Sequence, residues 1–178
     1  MATITVTLED KSIVDAFNRL QQASRNMTPA MRVIAGILHD RAEQNFAEQR
    51  GPDGNEWEKL KPVRNKRRKN PKILIDTGRL KNSIAMQAGA DFARIGTNVA
   101  YAAIHQFGGT IQRAAYSSLS ALAMKKRKSV GKGEVAAHAI NIPARPYMPF
   151  LGTKLQAGVE DEILETLRRH LGAALDGS

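Results

Sequence analysis

The sequence predicts a single α+β domain, 1-178, in which a helical hairpin and a C-terminal helix pack on a short antiparallel sheet, with two long basic loops. Three observations predict it. Apolar residues recur at helical spacing in two N-terminal stretches and again near the C-terminus. Short strand-like runs flank a Gly-Ala-Asp turn in the middle of the chain. Positive charge is gathered into two stretches that have no hydrophobic period.

Thr3–Leu8 alternates Thr with Ile4, Val6 and Leu8, a period of two that predicts a strand. Asp10 or Ser12 can cap the helix that follows, whose apolar face is Ile13, Val14, Phe17 and Leu20. Thr28-Pro29 reads as a second helix start, with Thr28 as cap and Pro29 in the first turn, where a missing N–H costs nothing. Its stripe is Met31, Ile34, Ala35, Leu38, Ala42, Asn45 and Phe46, and it runs to about Arg50. Gly51-Pro52-Asp53-Gly54 then stops it, and an antiparallel helical hairpin results.

Residues 51-72 form the first basic loop, with Trp57 and Leu60 as isolated apolar groups. Ile73–Ile75 is a short apolar run, after which Asp76 or Thr77 caps one helical turn through Leu80. Ser83–Met86 and Phe92–Gly96 read as a strand hairpin across Gly89-Ala90-Asp91. Asn98–Phe107 suits a short helix with Tyr101, Ile104 and His105 on one face and Gly108-Gly109 as its stop. Residues 110-141 are a basic insert, either an extended hairpin or a partly disordered arm. Ile142–Phe150 carries three prolines, which hold it extended. The last helix is expected from about Thr153 to Leu175. Leu155, Val159, Ile163, Leu167, Leu171 and Leu175 fall on every fourth residue, and its acids Glu160, Asp161, Glu162 and Glu165 precede Arg168 and Arg169, as the helix dipole favours.

Composition narrows the function. Hydrophobic residues make up 42% of the 178 and aromatics only 5%, so the core is mainly aliphatic. The absence of Cys excludes disulfides and thiolate metal sites and permits a reducing interior such as a bacterial cytoplasm. No apolar run approaches the roughly 20 residues of a membrane span, and the alternating N-terminus is no signal peptide. Of the 27 basic residues, eight lie between Lys59 and Lys72 and five between Lys125 and Lys132, without an acid among them; the remaining 14 face 17 acids, a balance of −3. The net charge of +10 therefore belongs to the loops, above all to Lys66, Arg67, Arg68 and Lys69 and to Lys125, Lys126, Arg127 and Lys128. Such runs serve solubility as solvated loops, or they meet DNA phosphate or an acidic partner ring.

No constellation carries chemistry. His39, His105, His138 and His170 never stand three or four apart, so no metal site is expected. Ser83 and Ser117 lack a glycine elbow, and there is neither a dinucleotide fingerprint nor a phosphate loop, so the chain reads as a non-enzyme without cofactors. Glu160–Glu165 is a solvated helix face. The basic loops have no interleaved aromatics for base stacking, which leaves only non-specific phosphate attraction. Interface chemistry is the best supported class. Pro146, Tyr147, Met148, Pro149 and Phe150, with Arg145 beside them, are types enriched at protein contacts, although Tyr147 and Phe150 can equally close the domain's own core. Trp57 is open to the same two readings, docking on its own domain or anchoring in a neighbour.

The chain carries, in order, Trp57 and Leu60 in a basic loop, ILIDTGRLKNSI (Ile73–Ile84), IGTNVAYAAIHQFGG (Ile95–Gly109), IPARPYMPFLG (Ile142–Gly152) and the terminal helix whose acids precede its bases. In this order and content, over roughly residues 28-172, it resembles the phage virion morphogenesis family, the tail-completion or neck proteins of Mu-like tailed phages and prophages. The resemblance implies a structural virion protein, made in the host bacterial cytoplasm. It would form a homo-oligomeric ring, expected to be a hexamer, at the head–tail junction. There it would join the tail terminator or tail tube to the head connector around a DNA channel. On that view Tyr101, His105, Gln106, Phe107, Arg145, Tyr147 and Phe150 form one side of a subunit contact and Trp57 the other, while the two basic runs face DNA or an acidic partner. The alternatives are a non-virion assembly factor and a non-specific DNA-binding protein.

Overall fold

A computed structural model describes residues 11–60, 72–117 and 134–176. The expected strand Thr3–Leu8 and the clusters Lys66–Lys69 and Lys125–Lys128 lie outside the described residues. The first helix, α1 (Lys11–Arg25), buries no residue fully. Ile13, Ala16, Leu20 and Ala23 are its part-buried positions, whereas Val14 and Phe17, expected on the same face, are exposed, Phe17 by 66%. Helix α2 (Thr28–Glu48) follows its predicted stripe, with Ala30, Ile34, Ala35, Ala42, Asn45 and Phe46 buried. Thr28 lies inside this helix rather than capping it. The cap is Met27, which makes no side-chain capping bond, and Pro29 sits in the first turn. The helix ends two residues before Arg50, because Gln49 takes the left-handed conformation (φ 60°) and its N–H closes on the Asn45 carbonyl.

The two N-terminal helices each pack mainly on α5 (Val159–Asp176) rather than on one another. Helix α5 can serve both because its covered positions include Val159, Ile163, Thr166, Leu167, His170, Leu171 and Ala174. Arg41 of α2 pairs with Glu162. Arg19 of α1 donates from Nε and Nη2 to the Ala174 and Leu175 carbonyls at 3.1 and 3.2 Å, supplying the positive charge that the last turn of α5 lacks. The C-terminal helix starts later than the leucine spacing predicts. Gly152 (φ 61°) turns the chain between β7 (Phe150–Leu151) and β8 (Lys154–Leu155), and Gly158 (φ 82°) breaks it again. Leu155 is therefore a strand residue.

Among the described residues the strand content is as antiparallel as predicted but is divided among four two-stranded ribbons. β1 (Ala85–Ala88) and β2 (Ala93–Gly96) pair from Ala85↔Gly96 to Ala88↔Ala93 around a turn closed by the Gly89 N–H on the Phe92 carbonyl, and this ribbon packs on α2. After α3 (Arg79–Asn82) and α4 (Ala102–Phe107), β3 (Gly109–Arg113) runs against β6 (His138–Ile142), and β4 (Tyr116–Ser117) against β5 (Glu134–Val135). Prolines 143, 146 and 149 keep the following segment out of any ladder, since they supply no amide donors.

The core gathers Ala42 and Phe46 of α2 with Trp57, Leu80, Ile84, Val99, Ala102, Tyr147 and Met148. Phe46 is its centre. Its ring meets Trp57 edge-on at 5.7 Å and Tyr147 at 5.1 Å with a 40° tilt. Phe46→Ala is expected to cost about 3–5 kcal/mol by opening a cavity among rings that cannot collapse into it. Urea unfolding followed by Trp57 fluorescence measures this directly.

Candidate functional site

The proline segment 143–149 has no strand partner, so its polar backbone depends on side chains. Gln106 of α4 is fully buried, and its Oε1 accepts both the Tyr147 and Met148 N–H groups at 2.9 and 3.0 Å. Asn45 of α2 donates through Nδ2 to the Tyr147 carbonyl at 3.2 Å and to Gln156 Oε1 at 3.0 Å. The Trp57 indole donates to the Pro146 carbonyl at 2.9 Å. The Arg145 N–H donates to the His105 carbonyl at 2.7 Å, and Arg145 Nε to the Glu58 carbonyl at 2.9 Å. Gly108 makes the close approach possible. At φ 71° it stands in the left-handed region, and a Cβ there would lie 2.8 Å from the Ala144 nitrogen.

These bonds decide the two readings left open for Trp57 and Tyr147 in favour of the domain's own core, and they bury Gln106 and Arg145 beside them. Trp57, Gln106, Arg145 and Tyr147 are turned inward, with exposures of 7% or less, and they hold the protomer itself together. They look like interface residues because buried aromatics and arginines have the same composition in a core as in a contact. Phe150 is half-buried against the core. Tyr101 and Phe107 are the two nominated side chains that stay available, Phe107 at 69% exposure. The described residues do not include the eight nominated loop cations.

What the fold assembles instead is a cleft of about 330 Å3 where the three motif segments meet. Leu74, Ile75, Leu80 and Tyr101 contribute apolar walls; Arg79, His105 and Arg145 contribute polar groups, with Asp76 and Lys72 also lining it. One wall is held by an amide-to-backbone pairing. Gln49 accepts the Ile73 N–H on Oε1 and donates from Nε2 to the Ile73 carbonyl at 3.2 Å. The next residue, Leu74, is left-handed (φ 60°), a strain on the order of 1–3 kcal/mol for such a side chain. Sequence reasoning missed Asn45 and Gln49 as organising residues. The signal for Asn45 was a polar amide on an otherwise apolar stripe, which demands buried partners.

The His105 ring stands edge-on to Tyr101 at 5.8 Å, and its buried Nδ1 has no partner among the described residues. Burial first, and then the positive charge of Arg145, lowers its pKa below the ordinary value of about 6.5. Burial also raises the Tyr147 phenol above its ordinary range. Among the described residues no group of three His, Asp or Glu side chains could hold a metal ion, and no helix is long and apolar enough to cross a membrane.

The chain belongs to the phage virion morphogenesis family, which it matches over residues 8–172. It is 36% identical to the Mu-like prophage FluMu G protein 2 of Haemophilus influenzae over 138 residues, 78% of this chain and 77% of that protein. It is 30% identical to a protein of Escherichia phage Mu named "Putative capsid assembly protein G" over 178 residues, 97% of this chain and 96% of that one. FluMu G protein 1 of the same Haemophilus strain is 33% identical over 119 residues, 62% of this chain and 80% of that protein. No solved structure matches.

Two outcomes test this architecture. Gln106→Leu leaves two buried N–H groups unsatisfied and is expected to destabilise the fold by about 2–4 kcal/mol, read as a lower urea midpoint with an unchanged slope. His105 gives the acid dependence. Its native pKa lies below its unfolded one, so its contribution is complete well above about pH 6.5 and is lost as the pH falls, when the unfolded chain takes up the proton first. The urea midpoint of the wild type should drop between about pH 8 and about pH 5.5 more than that of His105→Asn.

Proposed function

We propose that this chain is a structural virion protein of a tailed phage, a tail-completion or neck component that forms a ring, six subunits in number, at the head–tail junction. It would join the tail terminator or tail tube to the head connector around the DNA path. Family membership supports a role in virion morphogenesis. The observation that carries the finer reading is the convergence of three separate motif segments on one cleft, with Tyr101 on its wall and Phe107 standing exposed at the end of the same short helix. A ring needs two different surfaces on each protomer that match by rotation. A rigid cleft with exposed aromatics beside it suits one of them. The two acid-free basic runs suit phosphate compensation without sequence readout, as a channel lining requires.

The name given to the phage Mu relative favours a second reading, an assembly factor that acts and leaves. Mass spectrometry of purified particles with copy-number determination separates the two. About six or twelve copies per particle is the expected result, and absence from the particle would sink the ring. Phe107→Glu is expected to leave stability within about 0.5 kcal/mol while phage yield and incorporation into particles collapse. An unchanged yield removes Phe107 from the contact.

A further inference from the structure

One ribbon of the fold is left without support. The β1–β2 ribbon packs on α2, while β4–β5 and β7–β8 are only two residues long. β3 and β6 pair over five residues, from Gly109↔Ile142 to Arg113↔His138. Among the described residues they have no third strand and pack on no helix to a comparable degree. A lone two-stranded ribbon is marginal in water, and an open edge pairs readily with another strand. Every residue of β3 is exposed, and neither proline nor lysine guards its edge. Directly paired residues share a face. Ile111 therefore stands beside Ile140, and Gly109 beside Ile142, on one face, whereas Thr110 and Gln112 stand beside Asn141 and Ala139 on the other. The first face is apolar and partly uncovered, with Ile111 40% exposed; the second is polar.

The N-terminus carries a sequence with the same two faces. Thr3–Leu8 alternates Ile4, Val6 and Leu8 with Thr3, Thr5 and Thr7. We propose that Thr3–Leu8 of a second copy of this chain adds to the open edge of β3 as a third strand. Its six residues match the five of β3 in length. Its apolar set continues the Ile111/Ile140 face, and its threonines continue the Thr110/Gln112 face. Backbone hydrogen bonds supply the affinity of such an addition and alternate side chains its register. The edge is that of β3 because β6 has Ile140 and Ile142 part-buried and runs directly into Pro143 of the clamped strap. The reach of the chain decides for a second copy. Only Glu9 and Asp10 separate Leu8 from Lys11, where α1 starts, so Leu8 ends within about 11 Å of that helix. Helix α1 packs on α5 and makes no comparable contact with β3 or β6. The proposal rests on the reading of this chain as a homo-oligomer. It is tested on the isolated protein, so it fails separately from the neck assignment, which is tested on particles.

The chain has no cysteine, so single introduced cysteines report contacts without background. The Gln112→Cys protein is mixed, under mild oxidation, with proteins carrying one cysteine in place of Thr3, Ile4, Thr5, Val6 or Thr7. Mixed disulfide dimers are then read by mass. Side chains on the same face of neighbouring strands come within disulfide reach, and those on opposite faces do not. The mixed dimer is expected for at least one of the three threonine positions and for neither Ile4→Cys nor Val6→Cys. Self-association of the full chain, followed by sedimentation, is expected to be lost in Thr5→Pro, which removes a backbone donor, and kept in Thr5→Val. None of these positions belongs to the core, so urea unfolding of each variant should match the wild type. Equal yields at all five positions, no mixed dimer, or association unchanged in Thr5→Pro overturns the proposal. So does a disulfide formed within single chains carrying both Thr5→Cys and Gln112→Cys at high dilution while the mixed variants form none, since the segment then lies on its own ribbon.

Discussion

The structure depends on how an extended, proline-interrupted segment is satisfied without a sheet. Residues 143–149 cross the core, where backbone groups have no water, and prolines 143, 146 and 149 forbid a continuous ladder. The solution is a set of amides and one indole. Gln106 spans two successive N–H groups, Asn45 and Trp57 donate to two successive carbonyls, and the His105 carbonyl takes Arg145. These donors and acceptors come from three elements: Asn45 from α2, Trp57 from the 50–60 turn, and His105 and Gln106 from α4. The strap thus ties α2, the 50–60 turn and α4 into one body, and loss of any clamp leaves a buried group unpaired at about 1–3 kcal/mol.

The same bonds position the cleft. The Arg145 N–H fastens to α4 at His105 while its Nε fastens to the Glu58 carbonyl, so the guanidinium is anchored at both ends of its side chain. Tyr101 and His105 lie one helical turn apart and stack edge-to-face, which places both at that wall. Gln49, at the end of α2, holds another part of the lining by pairing with Ile73, next to the left-handed Leu74. Core stability and cleft geometry therefore share their supports. Substitutions at Gln106 or Trp57 act on both, whereas Arg79, Tyr101 and Phe107 can be altered with little effect on the fold.

How much of this was legible in the sequence follows from which interactions repeat. The α2 stripe, the central strand hairpin and the short helix ended by Gly108-Gly109 were readable because helical and strand burial have fixed periods and glycine marks positive φ. The start of α5 was misjudged because Leu155 happens to continue its spacing, and the turns at Gly152 and Gly158 outweigh that single leucine. The division into four ribbons was not visible, since short strands state their alternation but not their neighbours. For Trp57 and Tyr147 the sequence left the inward reading open beside the contact reading, and for Gln106 and Arg145 the inward role was not visible. A side chain bonded to backbone 41 to 89 residues away leaves no periodic trace, and its composition is the same whether it closes a core or a contact.

An arginine anchored in a recess sets a physical condition on any surface that would cover it. In the free protomer the cleft opens to solvent, so the terminal nitrogens of Arg145 and Arg79 can be hydrated and the cost of an unpaired charge is limited. A partner that covers the cleft removes that water. If it brings no acceptor, it buries a cation unpaired, a penalty of about 3–5 kcal/mol that its apolar contacts must overcome. If it brings a carboxylate, the guanidinium gains a bidentate, charge-assisted pair in a site already shaped for it. Discrimination thus comes as much from the cost of the wrong surface as from attraction to the right one.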